Sequence, residues 1–279
     1  MSQPGLGIVD LARWPIDATD GPAGRAMVER LSADIARDGW CTLPGFLPEA
    51  TAARLSAEVE GFADRAWPGI GGATPYYGRV DPDLPAELPE NHPRRRTSPR
   101  RMAQIAYDLV PADNAIRHLY ESPAMPAFLA AVLGTPPLHP MACRYQSVNI
   151  SVMGDGGCQN WHFDGADFST TLMLQKPERG GDFECVPRLR APGDENYAGV
   201  ARVMDGDRSG VIPIPVEAGT LMIFRGARSL HRVSEVSGAR RRLLVIFHYH
   251  TEPGLIGSHA INRALYGPRV EPQAGTRIS

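Results

Sequence analysis

The sequence predicts a mainly β fold with flanking helices, of the jelly-roll type that is also called a double-stranded β-helix or cupin-like barrel. From residue 141 onward, short runs rich in β-branched and aromatic residues are separated by Gly, Pro, Asp and Glu at the spacing typical of a sandwich or barrel. Before residue 141 the apolar residues follow helical spacing instead. The absence of any internal repeat argues against a solenoid or propeller.

The N-terminal part predicts an outer layer of helices. Apolar residues recur at helical spacing from Met27 to Ile35 and again from Leu55 to Phe62. Between them, residues 41–47 are typical of a strand followed by a turn. We expect these elements to pack outside the β-rich core.

Two further segments complete the part before the core. Residues 68–101 are rich in Gly, Pro and charge and follow no sustained period, so they predict a long loop that could act as a lid. A short helix is expected over residues 123–133, because Ser122 and Pro123 suit its N-terminus and Gly134 supplies a C-terminal stop.

Composition and length indicate one soluble globular domain. The 279 residues are 43% hydrophobic and 22% charged, and a chain of this length can fold around a single hydrophobic core. We expect a helical and loop elaboration over residues 1–140, the β-helix core over 141–252 and a C-terminal extension over 253–279. The sequence leaves the oligomeric state of the protein open between monomer and homodimer.

Charge, cysteines and hydropathy limit the partners and the compartment. A net charge of −2 offers no field that would attract nucleic acid or an anionic membrane, so the expected partner is a small-molecule substrate. Four scattered cysteines fit a reducing compartment better than a disulfide framework. No apolar run approaches the length of a membrane span and no signal peptide is evident, so we expect a cytoplasmic protein.

The chemistry is carried by an H-x-D motif and a distant histidine. On an extended segment alternate side chains point the same way, so His162 and Asp164 can present a nitrogen and a carboxylate oxygen to one ion. His231 follows a predicted strand and turn that would bring it to the same end of a barrel. Two histidines and one carboxylate leave coordination positions open, as activation of dioxygen by ferrous iron requires. We therefore predict that these three residues are the metal ligands and the catalytic centre.

An arginine on the next predicted strand suggests a dicarboxylate co-substrate. Arg242 shares its strand face with Leu244, Ile246 and His248, so its guanidinium would project into the barrel. A planar fork of donors matches a carboxylate in two parallel hydrogen bonds, which suits the distal carboxylate of 2-oxoglutarate. The alternative, a solvated basic turn, suits Arg240 and Arg241 better.

Three more polar residues are candidates for the co-substrate or substrate. Tyr145 and Asn149 share one face of a predicted strand, and a polar face that points inward must be satisfied by a ligand or by protein groups. Asn149 and Thr171 are the candidates for 2-oxoglutarate, and Tyr145 is the candidate for substrate. An outward-facing polar strand face is the alternative.

The remaining substrate candidates are His248, Arg101 and Trp161. His248 continues the inward face of Arg242, although a hydrogen-bonded core histidine would fit equally. Arg101 ends a basic stretch and adjoins an apolar segment, so it could bind a substrate carboxylate, whereas a solvated charge run is the alternative. Trp161, beside His162, could orient substrate or form part of the barrel wall.

These motifs resemble a known superfamily. The runs NWHFDGADFSTTLMLQKPERGGDFECVP and GTLMIFRGARSLHRVSEVSGARRRLLVIFHY resemble the iron(II)/2-oxoglutarate oxygenases, with an arginine eleven residues after the distal histidine. The N-terminal run DGWCTLPGFLPEATAARLSAEVE is similar to the phytanoyl-CoA-hydroxylase-like branch. From MAQIAYDLVPADNAIRHLYESPAMPAFLAAVLG onward the chain resembles a bacterial group of radical amino-acid halogenases and related hydroxylases. The resemblance implies Fe(II), 2-oxoglutarate and O2 as cofactor and co-substrates.

One residue separates two outcomes within that group. In the halogenases a small residue replaces the ligating carboxylate, whereas Asp164 is present here, so the resemblance implies hydroxylation of an unactivated C–H bond. We expect the substrate to be a free amino acid or a related polar metabolite of specialised metabolism. The alternatives are an oxygenase acting on a carrier-bound or larger natural-product scaffold, and a zinc-binding or non-catalytic cupin-like barrel.

Overall fold

A computed structural model describes residues 5–76, 84–85 and 87–277 of the chain. Six α-helices lie in these residues: α1 (Pro22–Asp38), α2 (Glu49–Glu60), α3 (Ala115–Glu121), α4 (Ala124–Leu133), α5 (Tyr197–Met204) and α6 (His259–Tyr266). The strands of the described part are β1 (Trp40–Leu43), β2 (Trp67–Ala73), β3 (Ser98–Ile105), β4 (His139–Pro140), β5 (Val148–Met153), β6 (Cys158–His162), β7 (Ser169–Gln175), β8 (Phe183–Val186), β9 (Ile212–Ile214), β10 (Leu221–Phe224), β11 (Leu230–Val233), β12 (Arg242–Phe247), β13 (Tyr249–His250), β14 (Leu255–Ile256) and β15 (Thr276–Arg277).

A large curled antiparallel sheet forms the body of the molecule. Its strand order is β1-β10-β7-β12-β5-β3-β6-β11-β8-β9, and β2 pairs with β3 outside this path. Strand β3 joins the strands from β1 to β5 in this order to those from β6 to β9. Its residues Ala103 to Ile105 pair with β5, while Arg100 and Arg101 pair with β6. The sheet therefore has an inner face, onto which strands of both halves project side chains.

The outer face of the sheet is covered by the N-terminal helices. Helix α1 buries Met27, Leu31 and Ile35, as the sequence predicts, and it ends at Gly39, whose φ of 90° only glycine adopts readily. These residues join one hydrophobic cluster with apolar residues of β5, β7, β10 and β12. The helices and the sheet thus share a core.

The neighbouring strands β10, β7, β12 and β5 are largely buried on both faces, but the two faces differ in character. On β5, Val148, Ile150 and Val152 belong to the cluster under the helices. Asn149 and Ser151 alternate with them and are also buried. Since successive side chains of a strand point to opposite faces, the inner face carries polar groups.

The predicted helix over 123–133 is confirmed, and the prediction for residues 68–101 is partly wrong. Helix α4 ends at Gly134, whose φ is 62°. The ends of the predicted loop are the paired strands β2 and β3, which Gly-rich and charge-rich compositions do not favour. Part of the possible lid, residues 77–83 and 86, lies outside the described residues.

The C-terminal segment packs back onto the sheet. Helix α6 contacts β2 and β3, and β14 pairs in parallel with β15. Among the described residues, the structure contains no helix with the length and apolar character of a membrane span.

Candidate active site

The two histidines and the aspartate of the predicted triad come together. His162 ends β6 and lies directly opposite His231 on β11, and Asp164 follows β6 by two residues. The Asp164 Oδ1 atom is 3.7 Å from His162 Nε2 and 3.4 Å from His231 Nε2. One ligand atom from each residue lies within 4.8 Å of the others. A single ion can therefore contact all three.

Backbone carbonyls fix the orientation of both imidazole rings. His162 Nδ1 is 2.7 Å from the carbonyl oxygen of Asn160, and His231 Nδ1 is 2.9 Å from that of Ser229. A carbonyl oxygen only accepts, so each Nδ1 carries the hydrogen and donates it. This tautomer leaves the lone pair of each Nε2 directed toward the site, as metal-binding histidines require.

Contacts with Gly226 and Ser169 position Asp164. Its backbone N–H donates to the Gly226 carbonyl at 3.1 Å, and its side chain lies so close to Gly226 that a Cβ there would be 2.0 Å from Oδ2. The Ser169 hydroxyl donates to the carboxylate. Neither Gly226 nor Ser169 was predicted, because Gly226 is distant in sequence and the approach of Ser169 depends on the conformation of the loop between β6 and β7.

The electrostatics keep His162 and Asp164 in their ligating forms at neutral pH. Burial, and next the charge of His231, lower the pKa of His162 to about 3. Burial by itself would raise the pKa of Asp164, but charge and hydrogen-bond interactions with His231, together with His162 and Ser169, outweigh it and lower that pKa to about 2. His162 is therefore neutral and Asp164 ionised when a cation arrives.

The donor set fits a metal that keeps open coordination positions. Within the residues that the structure describes, this is the one cluster of at least three His, Cys, Asp or Glu side chains able to hold an ion. It provides two imidazole nitrogens and one carboxylate oxygen. That combination is typical of non-haem iron(II) oxygenases, whereas a structural zinc site would have a fourth protein ligand.

Arg242 is a buried cation with a vacant donor. The residue is 2% exposed, and its Nε donates to the Gly181 carbonyl at 3.0 Å. Its Nη1 has no hydrogen-bond partner. Burial lowers the pKa of Arg242 to about 10, against the opposing charge of Asp182, so it stays protonated at neutral pH. A buried guanidinium of this kind suits the carboxylate of a bound ligand.

The inner face beside Arg242 carries further unsatisfied polar atoms. Asn149 and Thr171 lie on either side of Ile246 in the sheet register, and Asn149 Oδ1 and Thr171 Oγ1 are buried without partners. Gln104 and Ser151 face each other across β3 and β5, and Gln104 Oε1 and Ser151 Oγ are unpaired as well. Buried polar atoms are costly unless a ligand or water satisfies them, so this wall is suited to a polar ligand.

The prediction for Arg101 needs correction. Its guanidinium donates to the Gly156 carbonyl and to the Glu235 carboxylate, and its side chain is 42% exposed. Its neighbour Arg100 points to the opposite face, where it lines a small cavity with His162. The charge of Arg100 contributes to the lowered pKa of His162, and Arg100 Nε is buried without a partner. Arg100 is the arginine beside the triad.

A β-bulge turns a second unpredicted residue toward the triad. His162 lies opposite His231, but Gln159 lies opposite Val233. The chain therefore advances three residues on β6 where it advances two on β11, which is a β-bulge. The extra residue places Gln159 on the face of His162, and its Nε2 is 3.2 Å from His162 Nε2. Strict alternation would put these two side chains on opposite faces.

The two aromatic candidates for substrate binding differ in position. Tyr145 precedes β5, its ring stacks with Tyr266, and its hydroxyl accepts a hydrogen bond from the Glu271 N–H. The expectation for Tyr145 is wrong, because its ring packs against the C-terminal segment. Trp161 packs with Val200 of α5 and also lines the small cavity that contains His162 and Arg100, so its role in substrate binding stays a prediction.

The charge of Asp164 reaches His248. Burial, followed by the charge of His250, lowers the pKa of His248 to about 4, and the charge of Asp164 acts in the opposite direction. The interaction with Asp164 is consistent with an inward position.

The fold and the converging His-Asp-His set define the class of the iron(II)/2-oxoglutarate oxygenases, and the comparisons agree. The family model described as HalD, Halogenase D, matches residues 90–264, so the chain belongs to this family. The expected superfamily and the jelly-roll fold are thus confirmed, while the phytanoyl-CoA-hydroxylase-like branch remains a prediction. The sequence has no match among curated proteins.

Solved structures share the fold at low sequence identity. The non-haem alpha-ketoglutarate-dependent epimerase SnoN from nogalamycin biosynthesis is 18% identical, with a TM-score of 0.56 over 91% of this chain and 96% of SnoN. AviO1 from Streptomyces viridochromogenes Tue57 is 19% identical, with a TM-score of 0.53 over 81% of this chain and 95% of its own. HygX from Streptomyces hygroscopicus is 14% identical, with a TM-score of 0.52 over 81% of this chain and 87% of its own.

Proposed function

We propose that this protein is an Fe(II)/2-oxoglutarate-dependent dioxygenase that hydroxylates an unactivated C–H bond of a small polar metabolite, a free amino acid or a derivative. The observation that carries the proposal is the convergence of His162, Asp164 and His231 within 4.8 Å, on a fold whose inner face also carries the vacant guanidinium of Arg242. An open metal site and a buried partner for a dicarboxylate are the two requirements of this chemistry.

The assignment of metal and co-substrate is supported by ligands in related folds. A SnoN structure contains Fe3+ and alpha ketoglutarate, and a HygX structure contains nickel and 2-oxoglutarate. In this chain, His162, Asp164 and His231 would hold the iron, and Arg242 would bind the distal carboxylate of 2-oxoglutarate. Asn149 and Thr171 would donate or accept hydrogen bonds beside it. Bound iron, 2-oxoglutarate and O2 supply the oxidising power, and the protein orients the substrate.

The zinc-binding alternative leaves Arg242 unexplained. Zinc also accepts two histidines and an aspartate, but a hydrolytic or structural zinc site has no use for a buried cation with an empty donor position. The cost of burying an unpaired charge is offset only when an anion binds there.

An amino acid fits the polar groups that remain. Arg100 offers a cation beside the triad, which suits a substrate carboxylate. Gln104, four residues after Arg100 on the same face of β3, offers an unpaired amide oxygen. An amide oxygen accepts hydrogen bonds, so it suits an ammonium group. A cation and a hydrogen-bond acceptor on one wall match the two charged groups of an amino acid.

Asp164 favours hydroxylation over halogenation. In the presence of a metal, the carboxylate would take the coordination position that a halide needs, and its contacts with Gly226 and Ser169 hold it at the site. The family name therefore does not imply chlorination by this chain.

The test is turnover of an amino-acid panel in the presence of chloride. The protein, reconstituted with ferrous iron and 2-oxoglutarate in air, should convert one or more amino acids to a product heavier by one oxygen atom, with succinate formed in step. Chlorinated product would contradict hydroxylation. Succinate formation that no amino acid stimulates would contradict the amino-acid substrate.

A larger natural product is the second candidate substrate. SnoN has been crystallised with nogalamycin RO and HygX with hygromycin B, so this fold accommodates such scaffolds. Stimulation of succinate formation by a scaffold of this size or by a carrier-bound acyl group, and not by free amino acids, would favour it.

A further inference from the structure

Arg190 contacts the segment that carries His162 and Asp164, and also the turn that supports the Asp164 carboxylate. Its guanidinium carbon is 4.2 Å from the ring centroid of Phe163, the residue between His162 and Asp164. Its Nε donates to the Ala227 carbonyl at 2.6 Å. Ala227 follows Gly226, the residue against which the Asp164 carboxylate packs.

A third segment is attached at the same point. The Phe163 N–H donates to the Pro75 carbonyl at 2.7 Å, and the ring of Tyr76 is 5.6 Å from that of Phe163. The Arg190 guanidinium also lies over the Tyr76 ring at 5.8 Å. Phe163 is 1% exposed, so its position is set by these neighbours.

We infer that Arg190 is a positioning residue for the metal site, on the basis of the proposed function. It contacts no metal ligand. It fixes Phe163, and therefore the two ligands on either side of it, relative to the 226–227 turn that supports the Asp164 carboxylate. A guanidinium can stack on a ring and donate in its plane at the same time, which a lysine ammonium cannot do. Groups that orient metal ligands in this way typically change metal affinity by about 10- to 100-fold when removed.

The ion pair of Arg190 with Glu195 is a secondary feature. Arg190 Nη1 is 2.8 Å from Glu195 Oε2, and the Glu195 side chain is 40% exposed. An exposed pair contributes little, so Glu195→Gln should keep the stack, the Ala227 bond and the metal affinity. Loss of metal affinity in this variant would count against the role of the stack.

Arg117 provides a matched control. Its guanidinium carbon is 4.4 Å from the Tyr107 ring centroid and its Nε is 3.0 Å from Glu121 Oε1, so it combines a ring stack with an ion pair, as Arg190 does. Arg190→Met and Arg117→Met therefore each remove a stack and an ion pair, and Arg190→Met also removes the bond to the Ala227 carbonyl.

The experiment measures cobalt(II) binding to the metal-free proteins by visible absorption, alongside thermal unfolding. Arg190→Met should bind cobalt at least about tenfold more weakly than wild type, with an altered spectrum, whereas Arg117→Met should bind as wild type does. Wild-type affinity and spectrum in Arg190→Met, or equal loss in Arg117→Met, would overturn the inference. A wild-type protein that binds no cobalt would instead overturn the metal site itself, and this role with it. Should Arg190→Met not fold, Arg190→Lys and Arg117→Lys make the same comparison.

Discussion

The triad residues are oriented by groups that are not themselves predicted metal ligands. Backbone carbonyls of Asn160 and Ser229 hold the histidine rings, and the bare Cα of Gly226 leaves room for the Asp164 carboxylate. The ligand geometry is therefore set before any metal binds, which lowers the cost of assembling the site.

Gly226→Ala should weaken metal binding. The added methyl group would meet Asp164 Oδ2 at 2.0 Å, so the carboxylate must move, and we expect metal affinity to fall by about tenfold or more. Gly165→Ala is the matched control, because nothing lies within 4 Å of a Cβ at that position. Titration of both metal-free proteins with ferrous iron under nitrogen measures the difference. Equal affinities would show that the contact with Gly226 does not position Asp164.

Arg242→Gln should raise the 2-oxoglutarate requirement without loss of stability. Removing the cation that binds a buried carboxylate costs about 2–5 kcal/mol of binding, or roughly 30-fold or more in KM for 2-oxoglutarate. The free protein loses the bond to the Gly181 carbonyl but also the cost of burying an incompletely paired charge, so its Tm should stay near that of wild type. Steady-state kinetics measures KM for 2-oxoglutarate, and thermal unfolding measures Tm.

Arg241→Gln is the control for this prediction. Arg241 pairs with Glu60 and Asp64 outside the barrel, so its KM for 2-oxoglutarate should match that of wild type. An unchanged KM in Arg242→Gln would move the co-substrate site elsewhere.

At the scale of single residues, the sequence predicts ligands better than their supports. His162, Asp164 and Arg242 are found from local spacing on extended segments, and the structure brings them to the inner face. Gly226 acts on Asp164 from a distant part of the chain, and Ser169 acts on it across the loop between β6 and β7. No local pattern marks such contacts, because they depend on how β7 and the turn after β10 meet the end of β6.

At the scale of elements, strand alternation decides which arginine faces the cavity beside His162. On β3, Arg100 faces the cavity that contains His162, and Arg101 faces out toward Glu235. Arg100→Gln should therefore raise KM for the amino acid that turns over by about tenfold or more. Arg101→Gln should leave it near wild type. The reverse pattern would show that the substrate anion is bound on the other face of β3.

Alternation also explains where sequence analysis fails. It sorts the side chains of β5, β7 and β12 onto two faces, because these strands are regular and central, but it does not decide which face of β5 points inward. It fails at Gln159, since the bulge in β6 shifts the alternation by one residue. It also misses β2 and β3, whose Gly, Pro and Arg content opposes strand formation and whose pairing depends on long-range contacts.

At the scale of the whole molecule, the N-terminal helices and the barrel share one core. Leu31 of α1 and Val245 of β12 are both fully buried in the same cluster. We therefore predict a single cooperative unfolding transition in urea, with coincident curves from circular dichroism and tryptophan fluorescence. Leu31→Ala should lower the free energy of unfolding by about 2–5 kcal/mol in both signals together. Two separate transitions would mean that residues 1–140 fold as an independent unit.

The most direct test of the iron(II)/2-oxoglutarate assignment is anaerobic absorption spectroscopy of the folded protein. Addition of ferrous iron and 2-oxoglutarate to the wild-type protein should produce the weak visible charge-transfer band of a chelated 2-oxo acid. The band should be lost in His231→Ala, and in Arg242→Gln it should require more 2-oxoglutarate. A folded wild-type protein that binds iron but develops no band at saturating 2-oxoglutarate would contradict the account.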